Sequence, residues 1–275
     1  MGRKLFCEIS PTTYEISVFK NILVRDVKNI FSSQEFATSK MDALLPVLIY
    51  RNKSLMRRVL GNVDPLLQEN KVQNLGLSAP KVTNVLIRPG QIFSFWKLAG
   101  RCSKKEGYRK GLVISSGKVS EGIGGGMCQF TNLIHFIVLH SPMDIVEHHH
   151  HDGMDLFPDF GRQIPFGTGT SIMYNYLDYR FKNSTDTTFQ LITYVTDKYL
   201  CGELRANKPL DARYHIRTEN EYFSREGDTV YRNGLVFREQ IDEKTGNLLL
   251  KELIKKNHAM VMYDIDDKKI VHDAK

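Results

Sequence analysis

The N-terminal part of the chain repeats apolar residues with the period of a helix. Between residues 14 and 31 the apolar positions are Ile16, Phe19, Ile22, Leu23, Val27, Ile30 and Phe31, with Lys20, Arg25 and Lys28 interspersed. This spacing predicts an amphipathic helix packed on the core, and a basic helix lying on a membrane surface is the alternative. A second helix is predicted over residues 42–60.

The central part of the chain mixes strand and helix signals. Residues 91–96 and 111–119 have the composition of strands. The strongest helical pattern covers residues 127–140 and follows a glycine run. Its apolar face consists of Phe130, Leu133, Ile134, Ile137 and Val138. Residues 143–147 then predict a short strand.

After residue 160 the pattern is that of β-structure. Strands are predicted near residues 170–182 and 187–200, and hairpin turns at Arg232-Asn233-Gly234 and Lys244-Thr245-Gly246-Asn247. The predicted fold class is therefore α+β, with a cysteine at a helix N-terminus packed on an antiparallel sheet. The predicted organisation is an N-terminal helical segment (1–65), a mixed α/β core domain (66–205) and a β-rich C-terminal extension (206–275).

The composition is that of a globular chain with a mild basic excess. Of 275 residues, 41% are hydrophobic and 25% are charged, and the formal net charge is +7 at pH 7. This excess suits an anionic partner or a solvated basic surface. The chain has no run of five basic residues and no zinc-finger spacing, so nucleic acid is not a predicted partner.

The cysteines and the absence of export signals bear on the compartment. Cys7, Cys102, Cys128 and Cys201 form no CxxC pair, which argues against a zinc ribbon, a dithiol redox site or a disulfide scaffold. We recognise no secretion signal and no apolar stretch of about eighteen residues. These features predict a cytoplasmic protein that needs no cofactor, with peripheral membrane contact as an alternative.

One cysteine has the sequence context of a nucleophile. Gly124-Gly125-Gly126-Met127-Cys128-Gln129 brings Cys128 to the predicted start of a helix, where unpaired N–H groups and the helix dipole stabilise a thiolate. The backbone at Gly125, Gly126 and Gln129 is the candidate oxyanion site. The alternatives are a structural glycine turn with a buried, inert cysteine, or a phosphate loop, which would need a Lys-Ser/Thr pair that this segment lacks.

A run of four histidines supplies the candidate bases. His135 lies about 10 Å along the helix from Cys128, too far for a direct hydrogen bond. In an extended segment, His149 and His151 point one way and His148 and His150 the other. One pair could face Cys128. Alternatives are a zinc site formed by His149, His151, Cys128 and Asp155, or a solvated loop without a function.

Several blocks of sequence resemble the VanW family. They are Pro89-Gly90-Gln91-Ile92-Phe93-Ser94-Phe95, the Gly124–Gln129 block, Glu147 with His149 and His151, Phe157-Pro158-Asp159, Tyr176-Leu177-Asp178 and Phe181-Lys182-Asn183. Together they extend from about residue 66 to about residue 200. The chain is therefore identified as a member of this family.

The resemblance implies a role in cell-wall metabolism. Some relatives are regarded as L,D-transpeptidases that form an acyl-enzyme with a peptidoglycan stem peptide, which implies Cys128 as nucleophile and His149 or His151 as base. Where the family often has Arg, this chain has His148, so Arg162, nearby in sequence, is the candidate anion-binding residue, together with Trp96 for substrate. The alternatives are a non-catalytic protein that binds a cell-wall precursor or a partner, and a Cys/His metal protein.

Overall fold

A computed structural model of the chain describes residues 5–57, 64–115, 118–150, 153–155, 158–159 and 164–271. The α-helices in these ranges are α1 (Pro11–Ile30), α2 (Pro65–Val82), α3 (Phe95–Ala99) and α4 (Met127–Leu139). The strands are β1 (Val47–Leu55), β2 (Val85–Ile87), β3 (Ile92–Ser94), β4 (Lys110–Ser115), β5 (Lys118–Ile123), β6 (Asp144–Glu147), β7 (Met154–Asp155), β8 (Arg180–Lys182), β9 (Phe189–Val195), β10 (Tyr199–Ala206), β11 (Ala212–Glu226), β12 (Thr229–Asp242), β13 (Leu248–Val261) and β14 (Ile270–Val271).

A four-stranded antiparallel sheet, in the order β1-β10-β9-β2, supports the core. The apolar face of α4 packs on it so closely that a Cβ on Gly202 of β10 would lie 2.7 Å from Ile137 Cδ1. Leu133, Ile134 and Val138 are fully buried on the same helix, and each contributes about 1.5–3 kcal/mol by burial. The predicted helix and the predicted α+β class are both confirmed.

The prediction of a second N-terminal helix over residues 42–60 is wrong. Val47–Leu55 forms β1, which pairs antiparallel with β10 from Val47 opposite Ala206 to Leu55 opposite Tyr199. Short apolar runs fit a helix or a strand equally well, and here pairing with a buried strand decides between them. The central sheet therefore includes a strand from the segment that precedes residue 66.

Long antiparallel strands form most of the C-terminal part. Its sheet has the order β14-β11-β12-β13-β7. The hairpin predicted at residues 244–247 is confirmed, with Asp242 N–H donating to the Asn247 carbonyl at 2.9 Å. The turn predicted at residues 232–234 is wrong, because Gly234 lies within β12, opposite an irregularity of β11 where Glu221 Cα approaches it. The strand predicted near residues 170–182 is also shorter in the structure, where only Arg180–Lys182 of this stretch forms a named strand.

A tight glycine turn leads into α4. Gly126 has a φ of 110°, which favours glycine, and Gly125 lies against the backbone of Gly111 in β4. A Cβ at Gly125 would be 2.5 Å from the Gly111 carbonyl oxygen. The buried Asn74 of α2 secures this contact, because its side-chain amide donates to Gly125 O at 2.9 Å and to Arg109 O at 3.0 Å.

We predict that Gly125→Ala lowers the free energy of unfolding by about 3 kcal/mol, because two backbones must separate. The matched control is Gly76→Ala in α2, where a new Cβ meets nothing closer than 4.0 Å. That variant should be more stable than the wild type by about 0.5–1 kcal/mol, since alanine favours a helix. Urea unfolding measures both, and a Gly125→Ala protein as stable as the wild type would contradict the assigned contact.

Candidate functional site

Cys128 lies in the first turn of α4, one residue after its start at Met127. Backbone N–H groups in a first turn lack intrahelical partners. The cysteine is free, and as a residue it is half-buried. The structure therefore confirms the predicted position of this cysteine at a helix N-terminus.

A large cleft opens beside Cys128. Its volume is about 1450 Å³, which exceeds the roughly 300–1,000 Å³ usual for small-ligand sites. The walls come from α1 (Tyr14, Val18, Ile22), α2 (Lys71), α3 (Trp96), the 124–129 turn, His150, the 164–174 segment and β13 (Lys255 to Ala259). Elements from all three parts of the chain thus form one cavity with Cys128 in its wall.

The environment of Cys128 keeps its thiol neutral. Burial raises the pKa of the Cys128 thiol, and the backbone N–H groups of Ile172 and of Cys128 itself offset only part of that shift. The 168–172 segment is held there by hydrogen bonds: Thr170 N–H donates to Asn132 Oδ1 at 2.6 Å, and Thr170 Oγ1 donates to the Cys128 carbonyl at 3.3 Å. To react at neutral pH, this thiol would therefore need a base. The N–H groups of Ile172 and Cys128 would then stabilise the thiolate.

Two of the three backbone positions predicted for the oxyanion are occupied by other bonds. Gly125 N–H donates to the Gly122 carbonyl at 3.2 Å, and Gln129 N–H donates to the Gly126 carbonyl at 3.0 Å. The Gln129 side-chain amide donates to Ser54 Oγ and to the Leu55 carbonyl, both at 2.8 Å. Gln129 thereby ties the helix start to β1.

The histidine run alternates in direction, as its extended geometry predicts. The His148 ring packs at a tilt against that of the buried His135, with 4.1 Å between the ring centroids, and edge-on against that of His150, with 3.9 Å between them. Its Nε2–H donates to the Gly169 carbonyl at 3.1 Å. His149 turns the other way and bonds Glu147 Oε1 at 3.0 Å. Among the described residues, the cleft wall includes His150 but not His149.

His135 belongs to the core beneath this row. It is 1% exposed, and its Nδ1 shares a hydrogen bond of 3.0 Å with the Tyr179 hydroxyl. Burial lowers the pKa of His135 well below its usual value and lowers that of His148 to about 3. Both rings are therefore neutral at physiological pH.

Glu147 is the centre of an ionic network outside the cleft. Arg25 of α1 binds it with two hydrogen bonds of 2.7 Å, and Asp178 N–H donates to it at 2.9 Å. Burial would raise the pKa of Glu147, but the bonds from Asp178, His149 and Arg25 together lower it. The sequence offered no signal for Arg25, which is 122 positions away from its partner.

A buried lysine is the second feature that sequence reasoning missed. Lys71 of α2 is 7% exposed, and its Nζ donates to Gln68 Oε1 at 2.7 Å. A Cβ on Gly126 would lie 2.5 Å from Lys71 Cγ, so the glycine turn rests on this side chain. A buried lysine amine therefore lies in the cleft wall beside the start of α4.

The remaining predicted residues divide into three groups. Trp96 lines the cleft, with its indole N–H donating to the Leu177 carbonyl at 2.9 Å. His151 and Arg162 lie outside the described residues. Asp155, a candidate metal ligand, bonds Arg232 and Tyr263. In the described part of the chain, no three His, Cys, Asp or Glu side chains are grouped to hold a metal ion.

The sequence matches the family described as VanW like protein over residues 70–205. It is similar to the vancomycin B-type resistance protein VanW of Enterococcus faecalis (strain ATCC 700802 / V583), with 30% identity over 239 residues that cover 87% of this chain and 86% of the relative. It is also similar to the uncharacterized protein YoaR of Bacillus subtilis (strain 168), with 28% identity over 118 residues, 42% of this chain and 36% of that protein. No solved structure matches the chain.

The neutral histidines predict a loss of stability in mild acid. The pKa values of His148 and His140 are lowered by burial to about 3 and about 4, from 6.5 when unfolded. The unfolded chain therefore binds more protons, and the stabilisation present above pH 6.5 decreases as the pH falls towards these values. Lowering the pH from 7 to 5 should reduce the free energy of unfolding by about 1–2 kcal/mol for each of these histidines.

Unfolding in urea at the two pH values measures this effect. His148→Gln and His140→Asn should each flatten the pH dependence, because each amide nitrogen replaces the ring nitrogen that donates (Nε2 of His148, Nδ1 of His140) but does not titrate. Carboxylates such as Glu147, whose pKa is lowered from 4.5, contribute only at lower pH. A wild-type stability that is equal at pH 7 and pH 5 would contradict the neutral state of these rings.

Proposed function

Because the chain belongs to the VanW family, we propose that it is a cysteine-dependent acyl-transferase of the L,D-transpeptidase type. Its proposed substrate is a peptidoglycan stem peptide or another peptide precursor of the cell wall. The observation that carries the proposal is the position of Cys128, in the first turn of α4 and in the wall of a cleft of about 1450 Å³. The vancomycin-resistance name of the Enterococcus relative supports the cell-wall context.

In the proposed reaction the thiol and its base act together. Cys128 Sγ attacks an amide carbonyl carbon as its proton passes to a histidine, and the carbon–nitrogen bond then breaks. The leaving amine takes the proton back and a thioester remains. A second amine attacks this thioester, forms the new amide and returns the proton to the thiol. The N–H of Gly126, the remaining member of the three predicted backbone groups, is the proposed donor to the oxyanion.

His150 is the proposed base. It lies in the cleft wall with Cys128, and its ring packs against His148. His149, one of the two histidines that the family resemblance implies as the base, is bonded to Glu147. We therefore assign His149 a positioning role, since it fixes the segment that presents His150 to the cleft.

The raised pKa of Cys128 favours a second candidate function. A thiol that burial keeps neutral suits a non-catalytic protein that binds a cell-wall peptide in the same cleft. In that case Trp96 and Lys71, which line the cleft, would supply an aromatic contact and a hydrogen-bond donor. The two functions differ in whether Cys128 forms a covalent bond.

Incubation with a tetrapeptide cell-wall stem tests the proposal. Intact-protein mass spectrometry should detect an acyl adduct on Cys128, and Cys128→Ala should abolish the adduct and lower transfer by at least 10³-fold. The matched control is Cys102→Ala, because Cys102 lines the same cleft but burial raises its pKa to about 11. The Cys102→Ala protein should still form the acyl adduct and should transfer at the wild-type rate.

Two further variants assign the base. His150→Ala should slow the acylation by about 10²–10⁴-fold, whereas His149→Ala should have a much smaller effect. If the wild type forms no adduct and Cys128→Ala binds the peptide with unchanged affinity, the protein is a binding protein and the enzymatic proposal is wrong.

A further inference from the structure

The N-terminal helix α1 touches the protein along one narrow stripe. The helix predicted for this segment is confirmed, but its predicted packing on the core is wrong, because none of the residues from Pro11 to Ile30 is buried. In α4, by contrast, ten of thirteen residues are buried. The half-buried residues of α1 include Val18, Ile22 and Arg25, which fall on a single helical face. Thus α1 is a surface helix, and like the other described helices it is not long and apolar enough to cross a membrane.

This stripe forms one wall of the cleft that contains Cys128. Tyr14, Val18 and Ile22 line the cleft from α1, while Cys128 lines it from the first turn of α4. The buried core cluster contains no residue of α1. A helix with so few buried contacts can leave its place without unpacking the rest of the fold. Displacement of α1 would therefore widen the cleft along one side.

Polar contacts near its C-terminal end hold α1 in place. Arg25 donates hydrogen bonds of 2.7 Å to both carboxylate oxygens of Glu147 and one of 3.3 Å to the Tyr176 carbonyl. The side-chain amide of Asn175 donates to Asp26 at 2.5 Å. Bidentate pairs between arginine and a carboxylate are the strongest contacts of this kind. The Arg25–Glu147 ion pair is therefore the main latch of α1.

A short segment joins α1 to the body of the protein. The helix ends one residue before Phe31, which is 84% exposed. The chain becomes fixed again beside Ile92, whose N–H donates to the Glu35 carbonyl at 2.8 Å and whose carbonyl accepts a bond of 2.9 Å from the Ala37 N–H. Residues 31–34 lie in no helix or strand. They are the segment whose backbone angles can change when α1 moves.

We propose that α1 is a lid on the cleft, which the Arg25–Glu147 ion pair latches closed and which opens to admit substrate. The latch also reaches the histidine run, because Glu147 Oε1 is bonded to both Arg25 and His149. Closure of the lid and the position of the histidines therefore depend on one carboxylate. The identity of the substrate rests on the proposed function, whereas movement of the lid does not require the reaction at Cys128.

Alkylation of Cys128 tests the lid on the full chain. The rate of modification is followed by peptide mapping with two reagents of the same chemistry, N-ethylmaleimide and a maleimide that carries a polyethylene glycol chain. Arg25→Gln removes the charge of the latch and should raise the population of the open form. It should therefore speed the reaction of the large maleimide about tenfold, and that of the small one less than about threefold.

The matched control is Arg57→Gln. Arg57 also binds a carboxylate with two hydrogen bonds, of 2.5 and 2.8 Å to Glu69, but it does not line the cleft. This variant should react as the wild type does. Arg25→Lys keeps the charge without the bidentate geometry and should give an intermediate rate. Cys201, which is 9% exposed, reports unfolding and should react no faster in any variant than in the wild type.

The single tryptophan of the chain provides a second measurement. Trp96 lines the same cleft as α1 and is 6% exposed. Opening of the lid exposes this wall to solvent, so Arg25→Gln should increase the quenching of Trp96 fluorescence by acrylamide about twofold. Arg57→Gln should leave the quenching unchanged.

Two outcomes would overturn the inference. Arg25→Gln could leave both the rate of the large maleimide and the quenching of Trp96 unchanged, or it could speed both maleimides equally. Equal acceleration would mean that the thiol had become more reactive rather than more accessible. Neither outcome bears on the proposed function, because alkylation requires no acyl transfer. Conversely, a wild type that forms no acyl adduct would contradict the enzymatic proposal and leave the lid in place.

Discussion

The contact between the backbones of Gly125 and Gly111 is the constraint on which the site depends. No side chain fits between them, since a Cβ at Gly125 would be 2.5 Å from the Gly111 carbonyl oxygen. Asn74 bonds the same turn, and Lys71 packs beneath Gly126. Together these contacts fix where α4 begins and hence where Cys128 meets the cleft. The glycine run therefore serves first to bring the start of α4 against strand β4, and the position of Cys128 follows from that contact.

The wall opposite Cys128 is held by the C-terminal sheet. The side-chain amide of Asn257 donates to the Phe166 carbonyl at 2.8 Å, and a Cβ on Gly167 would overlap the Asn257 side chain. Arg232 bonds Asp155 within the same region, and β7 pairs with β13. These contacts fix the segment that carries Thr170 and Ile172 to the cysteine. The extension beyond residue 205 thus contributes directly to the geometry of the cleft, although the family match ends there.

Features that a few neighbouring residues encode can be predicted from this sequence, whereas contacts between residues far apart in the chain cannot. The period of α4 and the turn at residues 244–247 are encoded within a few residues, and both are confirmed. The strand β1 was predicted as a helix because its apolar run is ambiguous until β10 pairs with it. Gly234 has the sequence of a turn, yet it accommodates an irregular neighbouring strand. The direction of His149 depends on Glu147, and Glu147 in turn is bonded by Arg25 of α1. Such partners are determined by the tertiary fold, which local patterns do not contain.

Burial makes this site different from one in which a nearby cation keeps the cysteine in its thiolate form. A low thiol pKa requires a nearby cation or an unopposed helix dipole, whereas here burial outweighs the N–H groups of Ile172 and Cys128 and keeps the proton on sulfur. Burial also keeps His135 and His148 neutral, so these packed rings beside the cleft have acceptor nitrogens rather than positive charge. In the proposed reaction, the thiol would lose its proton as it attacks, and the expected rate would depend on how closely the substrate brings Cys128 and a neutral histidine together. On this proposal, the elements that shape the cleft, from α1 to β13, would determine the reaction rate together with the cysteine, because they set where the substrate lies.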